Sequence, residues 1–278
     1  MKLAYSIPNL DELSLQDLDR YLGILSSIGY DGAETSVCYG DKVDREAVKE
    51  LLEKHHIKLS GLRSGAIYDK AGLRFTSPDP EIRRKAVDTL KKLIDLAGFF
   101  GCDILLGRIQ GLVEPGEDLA QAKEYIVECL RESSEYAGKY GIYIHYEPIN
   151  RFEMNYNHTT KEMIEFTKYI NSGISHEVRL LMDVFHMMLE DFSIPGAFVR
   201  SRELIGHVHF ADSTRDRTRG VPGSGVMNFK EYIDVLDAMG YKGWIAMEVG
   251  LQDPDYEWGA RASYNYIHTI IELCERAQ

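Results

Sequence analysis

Four segments of this chain read as short apolar strands ending on a side chain able to bind a metal: Tyr143 to Glu147, Leu180 to Asp183, Gly206 to His209 and Trp244 to Glu248. Two glutamates, an aspartate and one imidazole make an oxygen-rich donor set, which suits Mn²⁺, Mg²⁺ or Co²⁺ better than the thiolate-rich set of a structural zinc. A lone glutamate in an acidic 278-residue protein carries little meaning, because most carboxylates are solvated surface groups. The joint pattern is more specific. Buried strands are nearly continuous apolar runs, so a charge ending an inward-pointing register needs a partner ion or a dense hydrogen-bond shell. The expectation is one catalytic centre holding one divalent metal ion, with Mn²⁺ the first choice.

The elements that would position these residues alternate along the chain. Short β-like runs are expected at Lys2 to Ser6, Gly32 to Thr35, Lys58 to Leu62, Asp103 to Gly107, Ile142 to Glu147, Arg179 to Asp183, His207 to Ala211 and Trp244 to Val249. Between them lie helix-like runs, the pattern of βα units around a parallel sheet. The helix after Pro78 is the clearest, with Asp79 as N-cap, Pro80 at the first helical position, and Ile82, Ala86, Leu90, Leu93, Ile94 and Ala97 recurring at three and four. It should stop near Gly98 or Gly101. Thr159-Thr-Lys-Glu162 has capping-box spacing, and Asn228 to Met239 fills a helix before Gly240. Asp11 to Ile28, Arg45 to His55, Asp118 to Tyr140 and Tyr256 to Arg276 add helical periodicity. Eight such units, with no linker or low-complexity segment, predict an α/β fold, a single (β/α)₈ TIM barrel over residues 1–278. In that architecture chemistry sits where strands run into the loops after them.

Composition narrows the partner. A formal charge of −12 argues against a nucleic-acid backbone, whose nonspecific affinity comes from cationic patches. Apolar stretches are soon interrupted by charge, and Met1-Lys2 leads directly into Leu3-Ala-Tyr without a signal-peptide core, so a soluble, cytoplasmic protein is expected. Cys38, Cys102, Cys129 and Cys274 form no CxxC pair and read as passive reduced thiols. A small solute is the expected ligand.

The residues also carry a family resemblance. Glu147-Pro-Ile-Asn-Arg-Phe-Glu153, with Asn155 and Thr159 following, resembles the EPLNRFET…NT signature of the sugar 3-epimerases of the xylose isomerase-like TIM-barrel superfamily. Asp183-Val-Phe-His186-Met resembles their DTFHM, His207-Val-His209-Phe-Ala-Asp212-Ser their HVHxADS, and Met247-Glu248 the VE of their last strand. The matches keep their order from Thr76-Ser-Pro-Asp-Pro through the eighth strand. Members include D-tagatose (D-psicose) 3-epimerases, 5-keto-gluconate epimerases, hydroxypyruvate isomerases and sugar-phosphate epimerases.

The resemblance implies that Glu147, Asp183, His209 and Glu248 bind one divalent metal, and that Glu147 and Glu248 are also the acid/base pair of a ketose 3-epimerase. It implies further that His186 and Arg215 contact the O2 region of the substrate and that Glu153 hydrogen-bonds near it. A homo-oligomer, dimer or tetramer, is implied as well. Glu34, ending the second strand, is expected either to line the substrate pocket or to order a loop, and Arg108, Tyr5 and Trp258 are weaker candidates for the pocket lining. His207 faces the same side of its strand as His209 and is expected behind it, while His145 reads as structural. The segment Arg215-Asp-Arg217-Thr-Arg219-Gly-Val-Pro-Gly223 departs from the simplest relatives, and its extra guanidinium groups could clamp a phosphate or carboxylate on the substrate. Two other activities fit the same scaffold. An aldose–ketose isomerase of the hydroxypyruvate isomerase type would move a proton between C1 and C2 with the same glutamates. An endonuclease IV-like nuclease would need histidines at earlier strand ends, where this chain has Gly61-Leu-Arg-Ser64 and Leu106-Gly-Arg108. A non-catalytic sugar-binding barrel would not need two opposed glutamates.

Overall fold

The computed structural model describes residues 1–213, 217–251 and 254–276. In chain order its strands are β1 (Lys2–Ser6), β2 (Gly32–Ser36), β3 (Lys58–Arg63), β4 (Asp103–Leu106), β5 (Ile144–Tyr146), β6 (Arg179–Asp183), β7 (Ile205–Phe210), β8 (Asp212–Ser213), β9 (Arg219–Gly220) and β10 (Trp244–Met247). All but β8 and β9 run parallel and close into a barrel, which β1 seals by pairing with β10, Leu3 opposite Ile245 and Ala4 opposite Ala246. Strands β8 and β9 form a small antiparallel hairpin on the way from β7 to β10. The expected (β/α)₈ barrel is therefore the fold.

The helices are α1 (Leu15–Ile28), α2 (Arg45–His55), α3 (Gly65–Ala71), α4 (Pro80–Phe100), α5 (Leu119–Gly138), α6 (Thr160–Asn171), α7 (Val184–Glu190), α8 (Ile194–Ser201), α9 (Phe229–Ala238) and α10 (Tyr256–Arg276). Local chemistry sets their ends. In α4, the Asp79 side chain accepts from Glu81 N, Pro80 opens the helix, and Gly101 closes it at φ 67° with its N–H on the Ala97 and Gly98 carbonyls. Only a residue tolerant of the left-handed region suits that stop. The α6 capping box is complete, Thr159 and Glu162 each satisfying the other's backbone N–H. Helix α4 turns an apolar stripe inward, formed by Leu90, Leu93, Ile94 and Ala97.

Strand β7 shows how the barrel sorts its faces. Val208 and Phe210 point outward to the helices, and the Phe210 ring lies 5.0 Å from Phe229 of α9. His207 and His209 point inward, where both reach Glu34 of β2. Since β2 and β7 are not neighbours in the ring, these contacts cross the barrel interior.

Helices α3, α7 and α8 and the β8–β9 hairpin were not expected from the sequence. Helix α7 begins at the residue after β6, with Asp183 as its N-cap, so no turn signal separates strand from helix. The ladder of the fifth strand covers only Ile144–Tyr146, shorter than the expected Ile142 to Glu147. At its end the Glu147 N–H still donates to the Leu106 carbonyl at 3.1 Å, so the chain stays pinned where it leaves the sheet.

Candidate metal centre

The barrel brings the four predicted ligands together. Asp183 and His209 are direct register partners of β6 and β7, following a register shift between Leu180 and Leu181. Glu147 and Glu248 lie one residue beyond β5 and β10, and the Glu248 N–H is held by the Phe210 carbonyl at 3.1 Å. One donor atom from each of the four lies within 4.8 Å of the others. His209 Nδ1 is central, 3.3 Å from Glu248 Oε2, 3.7 Å from Asp183 Oδ2 and 3.8 Å from Glu147 Oε1.

Local structure aims these groups. Asp183 Oδ1 accepts from Phe185 N at 2.8 Å, and this cap on α7 leaves Oδ2 directed at the site. Gly107, ending the β4 segment, makes room for Glu147, because a Cβ there would lie 3.0 Å from Glu147 Oε2. Asp183 Oδ2 pairs with the Arg219 guanidinium, but His209 Nδ1 is buried and makes no hydrogen bond. Such atoms are costly to leave without a partner. Three carboxylates and one imidazole supply the donors a hard or borderline divalent cation takes. The residues present fit a divalent cation.

The surrounding charges push the two glutamates apart. Burial, with Asp183 and Glu248 nearby, raises Glu147 well above the usual carboxylate range. Burial opposes the ionisation of Glu248 too, but Arg219, His209 and Arg63 outweigh it and hold Glu248 well below that range. Asp183 is depressed in the same way, Arg219, His186 and His209 overcoming its burial. His209 is raised because Glu34 and Glu248 overcome the desolvation of its imidazolium.

Two arginines reach the ligand group. Arg219 Nη2, from β9, lies 2.7 Å from Asp183 Oδ2 and 3.1 Å from Glu248 Oε2, while Arg63, ending β3, pairs through Nη1 with Glu248 Oε1. Asp212 organises the loop that delivers Arg219: its carboxylate accepts from Gly223 N and Gly225 N at 2.9 Å each and from Met227 N at 3.0 Å. A cavity of about 260 Å³ opens above the centre, lined by Glu147, Glu248 and His209 together with Glu153, His186 and Arg219.

Of the predicted substrate contacts, His186, Glu153 and Arg108 line this cavity. Asn150 Nδ2 lies 2.7 Å from His186 Nδ1 and 2.9 Å from Glu153 Oε1, fixing both side chains. Arg108 stands at the rim beside Asp69, 3.2 Å away. Glu34 is wholly buried and does not line the cavity; it sits beneath His209. Arg215 lies outside the described residues. Tyr5 packs between Tyr30 and Tyr256, at 5.7 and 5.4 Å, and exposed Trp258 belongs to α10, so neither lines the cavity. His145 is occupied by Asp103 Oδ2 at 2.8 Å. The sequence reading assigned no place here to Arg63 or Asn150. Arg63 is the last residue of β3, as Asp183 is of β6, and Asn150 lies in the Glu147–Glu153 motif, so both carried a positional signal.

Comparison with known proteins identifies the family of this barrel. The model of the xylose isomerase-like TIM barrel family matches residues 22–266. A probable ketose 3-epimerase of Synechocystis sp. is 26% identical over 255 residues, 90% of this chain and 83% of that one. The L-ribulose 3-epimerase of Methylomonas sp. is 26% identical over 222 residues, 79% of this chain and 74% of that one. Among solved structures, the D-psicose 3-epimerase of Clostridium cellulolyticum H10 with D-tagatose superposes at a TM-score of 0.79, covering 98% of this chain and 99% of that one at 22% identity, a likeness of fold. Because the family model spans most of the barrel, the chain belongs to the xylose isomerase-like TIM barrel family.

Proposed function

We propose that this protein is a divalent-metal-dependent ketose 3-epimerase, with Mn²⁺ as its cation and Glu147 and Glu248 as its acid/base pair. The observation that carries the reading is the placement of these two carboxylates on strand ends that converge on one imidazole, at the floor of a sugar-sized cavity. The names of the two relatives, both 3-epimerases, support it.

Glu147, Asp183, His209 and Glu248 would hold the metal, which supplies Lewis-acid polarisation of neighbouring carbonyl and hydroxyl oxygens and so acidifies the proton at C3. Inverting C3 requires one base to take its proton from one face and an acid to return a proton to the other. Glu147 and Glu248 arrive from different parts of the strand ring, β5 and β10, and exchange roles when the reaction reverses. His186, Glu153 and Arg108 bind substrate oxygens around them.

The test is proton NMR in D₂O with Mn²⁺-reconstituted protein, against neutral, phosphorylated and carboxylated ketoses. Deuterium at C3 with appearance of the epimer is expected. Deuterium at C1 or C2 with an aldose product would replace the reading with an aldose–ketose isomerase. Full activity in Glu248→Gln with metal still bound would refute the two-base scheme.

A further inference from the structure

Beneath the candidate centre lies a fully buried carboxylate that the proposed chemistry does not use. Glu34 sits on β2 opposite Gly61, where the pairing with β3 skips Ser60. Here the carboxylate points across the barrel, and its Oε2 lies 2.9 Å from His207 Nε2 and 3.0 Å from His209 Nε2. Its other oxygen faces Arg63 Nε at 3.4 Å, and the far end of that guanidinium pairs with Glu248. Glu34 thus touches one expected metal ligand directly and another through one side chain.

The contacts dictate a protonation pattern. An ionised carboxylate only accepts hydrogen bonds, so both facing Nε2 atoms carry protons. For a neutral His209, that leaves the lone pair on Nδ1, the buried nitrogen without a hydrogen bond that faces Glu147, Asp183 and Glu248. Fixing a ligand histidine's tautomer and ring orientation from behind is how outer carboxylates strengthen metal sites. Arg63 extends the same brace to Glu248, holding Oε1 while Oε2 faces the ligand group.

We infer that Glu34 is a positioning residue: it presents His209 Nδ1 to the metal and, through Arg63, steadies Glu248, with no contact to substrate. The inference rests on the metal centre of the proposed function, and the experiment separates the two. Mn²⁺ binding to chelator-stripped protein is titrated by electron paramagnetic resonance for wild type, Glu34→Gln and Glu34→Asp, with circular dichroism as the folding control. The expected result is a 10- to 100-fold weaker Mn²⁺ affinity in Glu34→Gln, the usual range for loss of an outer-shell partner. At saturating Mn²⁺, kcat falls and KM for the ketose stays near wild type. Wild-type affinity in a folded Glu34→Gln, or a raised KM with unchanged Mn²⁺ affinity, overturns the positioning role alone. No Mn²⁺ binding by wild type overturns the metal centre and the inference together. Should neither variant fold, the unmodified protein still decides: long-range ¹H–¹⁵N correlation of the Mg²⁺-loaded, ¹⁵N-histidine form should show His209 protonated at Nε2, and a proton at Nδ1 overturns the inference.

Discussion

Arg219 offers a quantitative test of the centre. Its Nη2 lies 2.7 Å from Asp183 Oδ2 and 3.1 Å from Glu248 Oε2, so on the proposed metal centre the guanidinium would compete with a divalent cation for these carboxylates. The Arg219→Gln variant keeps an amide donor but removes the charge. Two charge-assisted contacts at the lower bound of about 1.5 kcal/mol each, replaced by one neutral contact of about 1 kcal/mol, leave about 2 kcal/mol less for the cation to displace. At 1.4 kcal/mol per tenfold, Mn²⁺ should bind about 30-fold more tightly to Arg219→Gln. Isothermal titration of chelator-stripped protein at fixed pH and salt measures this directly. Thermal melting gives a second readout, since ligand linkage converts the gain into an extra rise of about 4–8 °C at saturating Mn²⁺ for a chain of this size. Without added metal the variant should melt lower, because Glu147, Asp183 and Glu248 lose a counter-charge. Unchanged or weaker Mn²⁺ binding would refute the competition and place Arg219 as a partner of the loaded site.

Other consequences follow from close approaches and ion pairs elsewhere. Gly107→Ala puts a Cβ 3.0 Å from Glu147 Oε2 and should lower kcat by about tenfold with the fold intact, since displacing a reacting group by about 1 Å costs about 10²-fold and this shift is smaller; wild-type kcat would show that Glu147 has room to spare. Gly206→Ala places a Cβ 2.0 Å from two atoms of the buried His145 ring. Overpacking of that kind should cost about 3 kcal/mol, seen as a melting temperature lower by about 6–12 °C. Arg84, with Lys91 beside it, holds Glu132 down from the ordinary glutamate value near 4.5 to about 2. A depressed carboxylate stabilises the fold above its unfolded value and loses that contribution as pH falls through the folded one. The melting difference between wild type and Glu132→Gln should therefore be present at neutral pH, fade between about pH 4.5 and 2, and shrink in high salt because the pair is partly exposed.

What the sequence determined by itself was whatever short-range chemistry encodes. Asp79-Pro80 and Gly101 bracket α4, and Thr159 with Glu162 opens α6, because caps and stops involve residues within a few positions of one another. The alternation of strand and helix was enough for a barrel, and a barrel gathers strand ends at one mouth, so Glu147, Asp183, His209 and Glu248 could be grouped although they are far apart in the chain. Helix α7 escaped because its N-cap is the last residue of β6, which hides the boundary. Only the tertiary structure decided what surrounds these four residues. Glu34 looked like a pocket residue from its place at a strand end, yet its carboxylate lies inside the barrel against His207 and His209 across the ring. Arg63 and Arg219 acquire their roles from carboxylates on other strands, and Asp212 acts by gathering the backbone of a later loop. Register shifts, cross-barrel hydrogen bonds and ion pairs between remote strands depend on where the closed ring places its members, and no local pattern of residue types records that placement.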